Sequence, residues 1–140
     1  MSEGCMSRKA VGILTVLLGF ASITAAPAAH HSRAMFDVDK LISVEGVVTD
    51  VQWRFPHMWI TLDVLGPNGR TESWGFEGAG APMMVASGIS PQVLKVGHRV
   101  KIIAHPPRDS SKRTAEFVGM EVDGKFYSRG TESNIRRRGE

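Results

Sequence analysis

Residues 41–53 (LISVEGVVTDVQW) are rich in β-branched side chains and predict a long strand, with a bend or bulge expected at Gly46. Residues 58–65 (MWITLDVL) alternate regularly. Met58, Ile60, Leu62 and Val64 are expected to face a core, while Trp59, Thr61 and Asp63 point away. Gly66-Pro67-Asn68-Gly69 has the composition of a turn, and residues 70–76 (RTESWGF) predict the returning strand, so the three segments form a meander. The period of two fails over 77–88, where Pro82 to Ala86 predicts a short helix begun by the proline and stopped by Gly88. A turn over 94–98, with His98 facing water, leads into a fourth strand at 99–104. Val100, Ile102 and Ala104 are expected to point inward there. A fifth strand over 114–122 is expected to turn Val118, Met120 and Val122 inward, and it ends at an Asp123-Gly124 turn.

This order predicts a mainly β protein: a small five-stranded, partly open barrel of the oligonucleotide/oligosaccharide-binding (OB) type, with one short helix or loop between strands three and four. A split β-sandwich would give a similar string. At 140 residues and 42% hydrophobic content, the chain suffices for one domain with a modest core. The expected organisation is a signal peptide over 1–29, a barrel domain over 30–127, and a polar tail over 128–140 without apolar periodicity.

The amino terminus changes the picture by adding a destination. Arg8-Lys9 supplies a positive start, residues 11–23 an apolar stretch, and Ala25-Ala26-Pro27-Ala28-Ala29 the small residues that signal peptidase cleaves beside. The thirteen residues of this stretch make about 20 Å of helix against a hydrocarbon core of about 30 Å, which favours cleavage over anchoring. A periplasmic or secreted protein is expected, without stable membrane insertion after processing. Cleavage after Ala28 leaves Ala29 first; cleavage after Ala29 leaves His30 first. The single cysteine, Cys5, lies ahead of the apolar stretch, so the mature domain has no disulfide. Removal of residues 1–29 leaves 15 basic against 13 acidic residues, with three arginines in the tail at 136–138. That balance argues against nucleic-acid binding by the folded part.

The chemical lead is His30-His31 at the expected mature terminus. A free amine with adjacent imidazoles gathers nitrogen donors in a tetragonal or square-planar arrangement, which favours copper, or nickel, over zinc. The plain alternative is a polar terminus that merely follows a cleavage site. In Trp53-Arg54-Phe55-Pro56-His57-Met58-Trp59, alternation sets His57 and Trp59 outward. His57 is a candidate third ligand, and Trp53, Trp59 and Trp74 are candidates for an aromatic groove taking a flat or sugar-like ligand; the alternative is a packing corner. His105 is a lesser candidate, and Met83-Met84 reads more readily as core filling than as a soft copper site. The chain lacks a Gly-x-Ser-x-Gly elbow, a His-Glu-x-x-His helix and a phosphate loop, and no enzyme is expected.

Ala29-His30-His31-Ser32, Met35-Phe36-Asp37, Val44-Glu45-Gly46-Val47-Val48, Pro56-His57-Met58-Trp59-Ile60, Trp74, Leu94-Lys95-Val96-Gly97 and Pro107-Arg108-Asp109 together resemble one group. It is the exported bacterial family catalogued as domain of unknown function 6152, and the likeness spans about residues 29–124. The resemblance implies a signal peptide before a compact β domain, and no particular activity. Three functions therefore stand side by side: a periplasmic module holding a transition metal, a small-ligand or saccharide barrel, and a structural envelope partner.

Overall fold

A computed structural model describes residues 33–128. The expected signal peptide, His30 and His31, and most of the expected tail lie outside the described residues. The elements, in order, are β1 (Ile42–Gln52), β2 (Trp59–Leu65), β3 (Thr71–Glu77), α1 (Ala81–Ala86), β4 (Arg99–His105), β5 (Thr114–Val122) and β6 (Lys125–Ser128). The strands are ordered β3-β2-β1-β4-β5-β6, and β3 also pairs with β5. The five-stranded OB-like barrel is thus present with its short helix between β3 and β4. It is closed rather than partly open, because Gly75, Phe76 and Glu77 pair in parallel with Thr114, Ala115 and Glu116.

Strand β1 belongs to both halves of the barrel. Ile42 to Val47 pair with β4, and Val47 to Gln52 pair with β2. A strand that changes partners must coil sharply, and Gly46 sits at that change. A Cβ there would lie 2.5 Å from the Asp63 carbonyl oxygen, so Gly46 permits a close approach of backbones. The bulge expected at this position instead falls at Thr49, the unpaired residue between Val48↔Leu62 and Asp50↔Thr61. The extra residue resets the inward phase. Val44 and Val48 are buried, and Val51 and Trp53 then pack against the core.

A second bulge corrects the reading of β5. Ile103 pairs with Gly119 and Ala104 with Phe117, which leaves Val118 as the extra residue. Ala115 and Phe117 are buried ahead of it, Met120 and Val122 after it, and Val118 is only half-buried. Counting back by twos from Met120 crosses this bulge, so Val118 was placed on the wrong face. The inward phases of β2 and β4 agree with expectation: Met58, Ile60, Leu62, Val100, Ile102 and Ala104 are buried, with Val64 packed against them.

Helix α1 contains no polar side chain and has Pro82 in its first turn. Its end is a Schellman motif. The Gly88 N–H donates to the Val85 carbonyl at 2.9 Å and the Ile89 N–H to the Met84 carbonyl at 3.0 Å, with Gly88 at φ +82°. Met84 and Ile89, the apolar pair of that motif, are both fully buried. The Asp123-Gly124 turn continues into β6, a hairpin partner for β5 over Gly119 to Val122. The five predicted strands end at Val122, so β6 is an addition to them. Four residues offer too short a period to be read alone, and the β5 edge supplies the pairing.

Candidate functional site

The first described residues are clamped to the loop after β4. The Asp37 N–H donates to the Pro106 carbonyl at 2.9 Å, the Arg108 N–H to the Met35 carbonyl at 2.9 Å, and Phe36 bridges Pro107. Arg108 Nε also donates to the Ala34 carbonyl at 3.2 Å. Phe36 is buried, so the clamp is anchored by apolar burial as well as by backbone bonds. It holds Arg33 beside the start of β5, where Arg33 Nε lies 3.0 Å from Glu116 Oε1.

The loop between β1 and β2 is stitched to the linker between β3 and α1. Met58 N–H donates to the Ala79 carbonyl at 3.1 Å, Gly78 N–H to the Met58 carbonyl at 2.9 Å, and Ala81 N–H to the Arg54 carbonyl at 3.1 Å. This contact is close because Gly80 has no side chain: a Cβ would lie 3.0 Å from the Pro56 carbonyl oxygen and 3.1 Å from Phe55 Cδ2. The Phe55–Pro56 peptide is cis.

Between the clamp and this stitched loop lies a cleft of about 250 Å³. Its polar side chains are Arg33, His57, Glu77 and Glu116; Gly78, Ala79 and Gly80 contribute small residues, and Met83 a thioether. Strand pairing sets Glu77 beside Glu116 and Glu116 beside His105, on one face of the sheet. Two carboxylates against one guanidinium leave the cleft with one negative charge when His57 is neutral. Glu116 Oε2 is buried and has no hydrogen-bond partner. A buried carboxylate oxygen without a donor is costly, and a cation in the cleft would relieve that cost.

His57 is held through Nδ1, which lies 3.2 Å from the Gly78 carbonyl oxygen and 3.2 Å from Glu77 Oε1. A carbonyl only accepts, so the neutral ring carries its proton on Nδ1 and keeps the Nε2 lone pair available. Metal-binding histidines are commonly oriented in this way. His98 and His105 make similar bonds, to the carbonyls of Val93 at 3.2 Å and Lys40 at 2.7 Å. His98 is thus half-buried and engaged, not simply turned to water. Among the described residues, no three His, Cys, Asp or Glu side chains are grouped as a metal site. His57 supplies a single oriented nitrogen, and any further nitrogen donors must come from elsewhere in the chain.

The tryptophans do not line one groove. Trp74 pairs with Leu62 on the core face, stacks on Phe76 with ring centroids 6.1 Å apart, and has the Arg113 guanidinium 5.5 Å from its own centroid. Trp53 also packs against the core. Trp59, opposite Glu77 on the other face, covers Gly75, where any Cβ would overlap the indole. It shares a shallow depression with Phe55, Pro56 and His57. Neither Glu77 nor Glu116 stands out in the sequence as a cleft residue, since each is one carboxylate in an alternating strand. The parallel pairing that joins them links segments almost 40 positions apart, and no local pattern announces it.

Fold and cleft together define a small OB-type β-barrel with a weakly anionic, histidine-bearing cleft beside its amino-terminal clamp. The chain belongs to the family of unknown function DUF6152, which matches residues 18–116. No curated protein matches it. Among solved structures it is similar to a mitochondrial single-stranded DNA binding protein from S. cerevisiae, Rim1, with 11% identity, a TM-score of 0.47, and coverage of 69% of this chain and 99% of that one. It is also similar to a ZRD-deleted mutant of TiaS in complex with agmatine, with 15% identity, a TM-score of 0.44, and coverage of 63% of this chain and 25% of that one.

Proposed function

We propose that this chain is an exported, periplasmic binding module, not an enzyme, that holds one copper ion. The ligands are the amino terminus exposed by signal removal, His30 or His31, and His57. The observation that carries this reading is the orientation of His57, whose Nδ1 is committed to the Gly78 carbonyl and Glu77 while Nε2 keeps its lone pair. Chain reach supports it. His31 precedes Arg33 by two residues, at most about 7 Å of extended backbone, and Arg33 lines the same cleft as His57. The net negative charge of the cleft and the unpaired oxygen of Glu116 favour a cation over an anion. Nitrogen-rich donor sets with an amine favour copper in the affinity order.

Native mass spectrometry of the periplasmic protein, followed by Cu(II) titration, tests this reading. One equivalent is expected on protein beginning at Ala29 or His30, with loss of binding when an extra methionine precedes that residue. His57→Ala is expected to weaken Cu(II) binding by roughly tenfold or more, with Trp59→Ala leaving it unchanged. Absence of copper affinity in correctly processed protein would end the proposal.

A further inference from the structure

Two adjacent methionines stand in the middle of α1 and have opposite fates. Met84 is fully buried and forms the apolar contact of the helix end, whereas Met83 is 56% exposed and lines the cleft that holds His57. The sequence reading assigned both to core filling, and that holds for Met84 alone. Met83 reaches the cleft because Gly80 lets the loop carrying Pro56 and His57 press against the start of the helix. Gly78, Ala79 and Gly80 line the same cleft and contribute no bulky side chain to it. Met83 also precedes Ser87 by one turn, and its carbonyl takes the Ser87 hydroxyl at 3.0 Å, which ties its backbone at a fixed place on the rim.

A thioether is a soft, polarisable donor that discriminates by oxidation state: it suits Cu(I), whereas amine, imidazole and carboxylate donors suit Cu(II) as well. The cleft therefore presents both hard and soft donors in its lining. We infer that the Met83 thioether is a ligand for Cu(I), with His57, so that the cleft holds copper in both oxidation states with different donor sets. This inference rests on the copper reading above and adds to it the oxidation state and a ligand of another chemical type.

The test is a pair of titrations on the mature, correctly processed protein: Cu(I) under anaerobic conditions against a chromogenic Cu(I) chelator, and Cu(II) in air. Met83→Leu keeps the volume and apolar character of an exposed position, and Met35→Leu replaces a second methionine that is equally exposed, at 56%, but does not line the cleft. Met83→Leu is expected to lower Cu(I) affinity roughly tenfold or more while leaving Cu(II) affinity as in the parent, and Met35→Leu to change neither. Unchanged Cu(I) affinity in Met83→Leu, or parent protein that binds Cu(II) but no Cu(I), would overturn the role of Met83 and leave the copper reading standing. Parent protein that binds neither ion would overturn both.

Discussion

Gly46→Ala tests the geometry on which the barrel turns. The added Cβ would lie 2.5 Å from the Asp63 carbonyl oxygen and 3.0 Å from Val64 Cγ2. The first distance falls about 0.9 Å short of the 3.4 Å at which ordinary contact begins. The obstructing atom is backbone of β2, paired on both sides, so no side-chain rotation relieves it; β1 and β2 must separate. Overpacking of this kind costs about 1–3 kcal/mol. For a domain of this size, each kcal/mol lowers the melting temperature by about 4–8 °C, which gives an expected fall of about 5–20 °C by circular dichroism. The control is Gly69, at φ +72° with no atom within 4 Å of its added Cβ. There the cost is conformational rather than steric. Gly69→Asn is therefore expected to stay near the parent, since asparagine tolerates that region, while Gly46→Ser is expected to fall as Gly46→Ala does. A melting temperature for Gly46→Ala within 2 °C of the parent, roughly the resolution of such a comparison, would refute the argument.

The bulge in β5 predicts an inverted ranking of neighbours. Phe117→Ala is expected to cost about 3–5 kcal/mol and Val118→Thr under about 0.5 kcal/mol in urea unfolding; a larger loss at Val118 would restore the uninterrupted alternation. At low pH, Asp37 and Asp109 contribute in a defined direction. The hydrogen bond from Lys40 holds the Asp37 carboxyl below its ordinary value of 3.8, and the Ser111 hydroxyl and N–H do the same for Asp109. A depressed folded value means that the unfolded chain binds protons first. Their contribution is thus present above 3.8 and lost as pH falls through the lower folded values. Asp109→Asn is expected to flatten the decline of the urea midpoint over that acid range, and an unaltered slope would count against these bonds.

Much of the barrel was legible along the chain because it is written in short periods. Alternation in β2 and β4, the Gly66 to Gly69 turn and the Pro82 to Gly88 helix each depend on residues within a few positions of one another. The two bulges were written there as well. Val48 and Val51, and likewise Phe117 and Met120, stand three apart, a spacing that a strict period of two cannot hold on one face. Gly46 drew attention away from Thr49 because glycine signals both a bulge and a close approach, and only the partner strand tells them apart. Motif pieces read separately also meet: Met35-Phe36-Asp37 pairs with the Pro106-Pro107-Arg108 segment, and Trp59 lies on Gly75 beside Trp74.

The sequence alone determined the five main strands in their succession along the chain, the helix and its stop, the outward setting of His57 and Trp59, and the family. Tertiary structure alone decided that β3 closes on β5, that Glu77, Glu116 and His57 share a cleft with Arg33, that Trp74 turns to the core while Trp59 does not, and that Met83 and Met84 part company. The reason is the range of the interactions. Hydrophobic periodicity is set by neighbours along the chain, whereas the cleft is assembled by ladder pairing between distant segments, and the energy that selects one register comes from burying the whole inner face together.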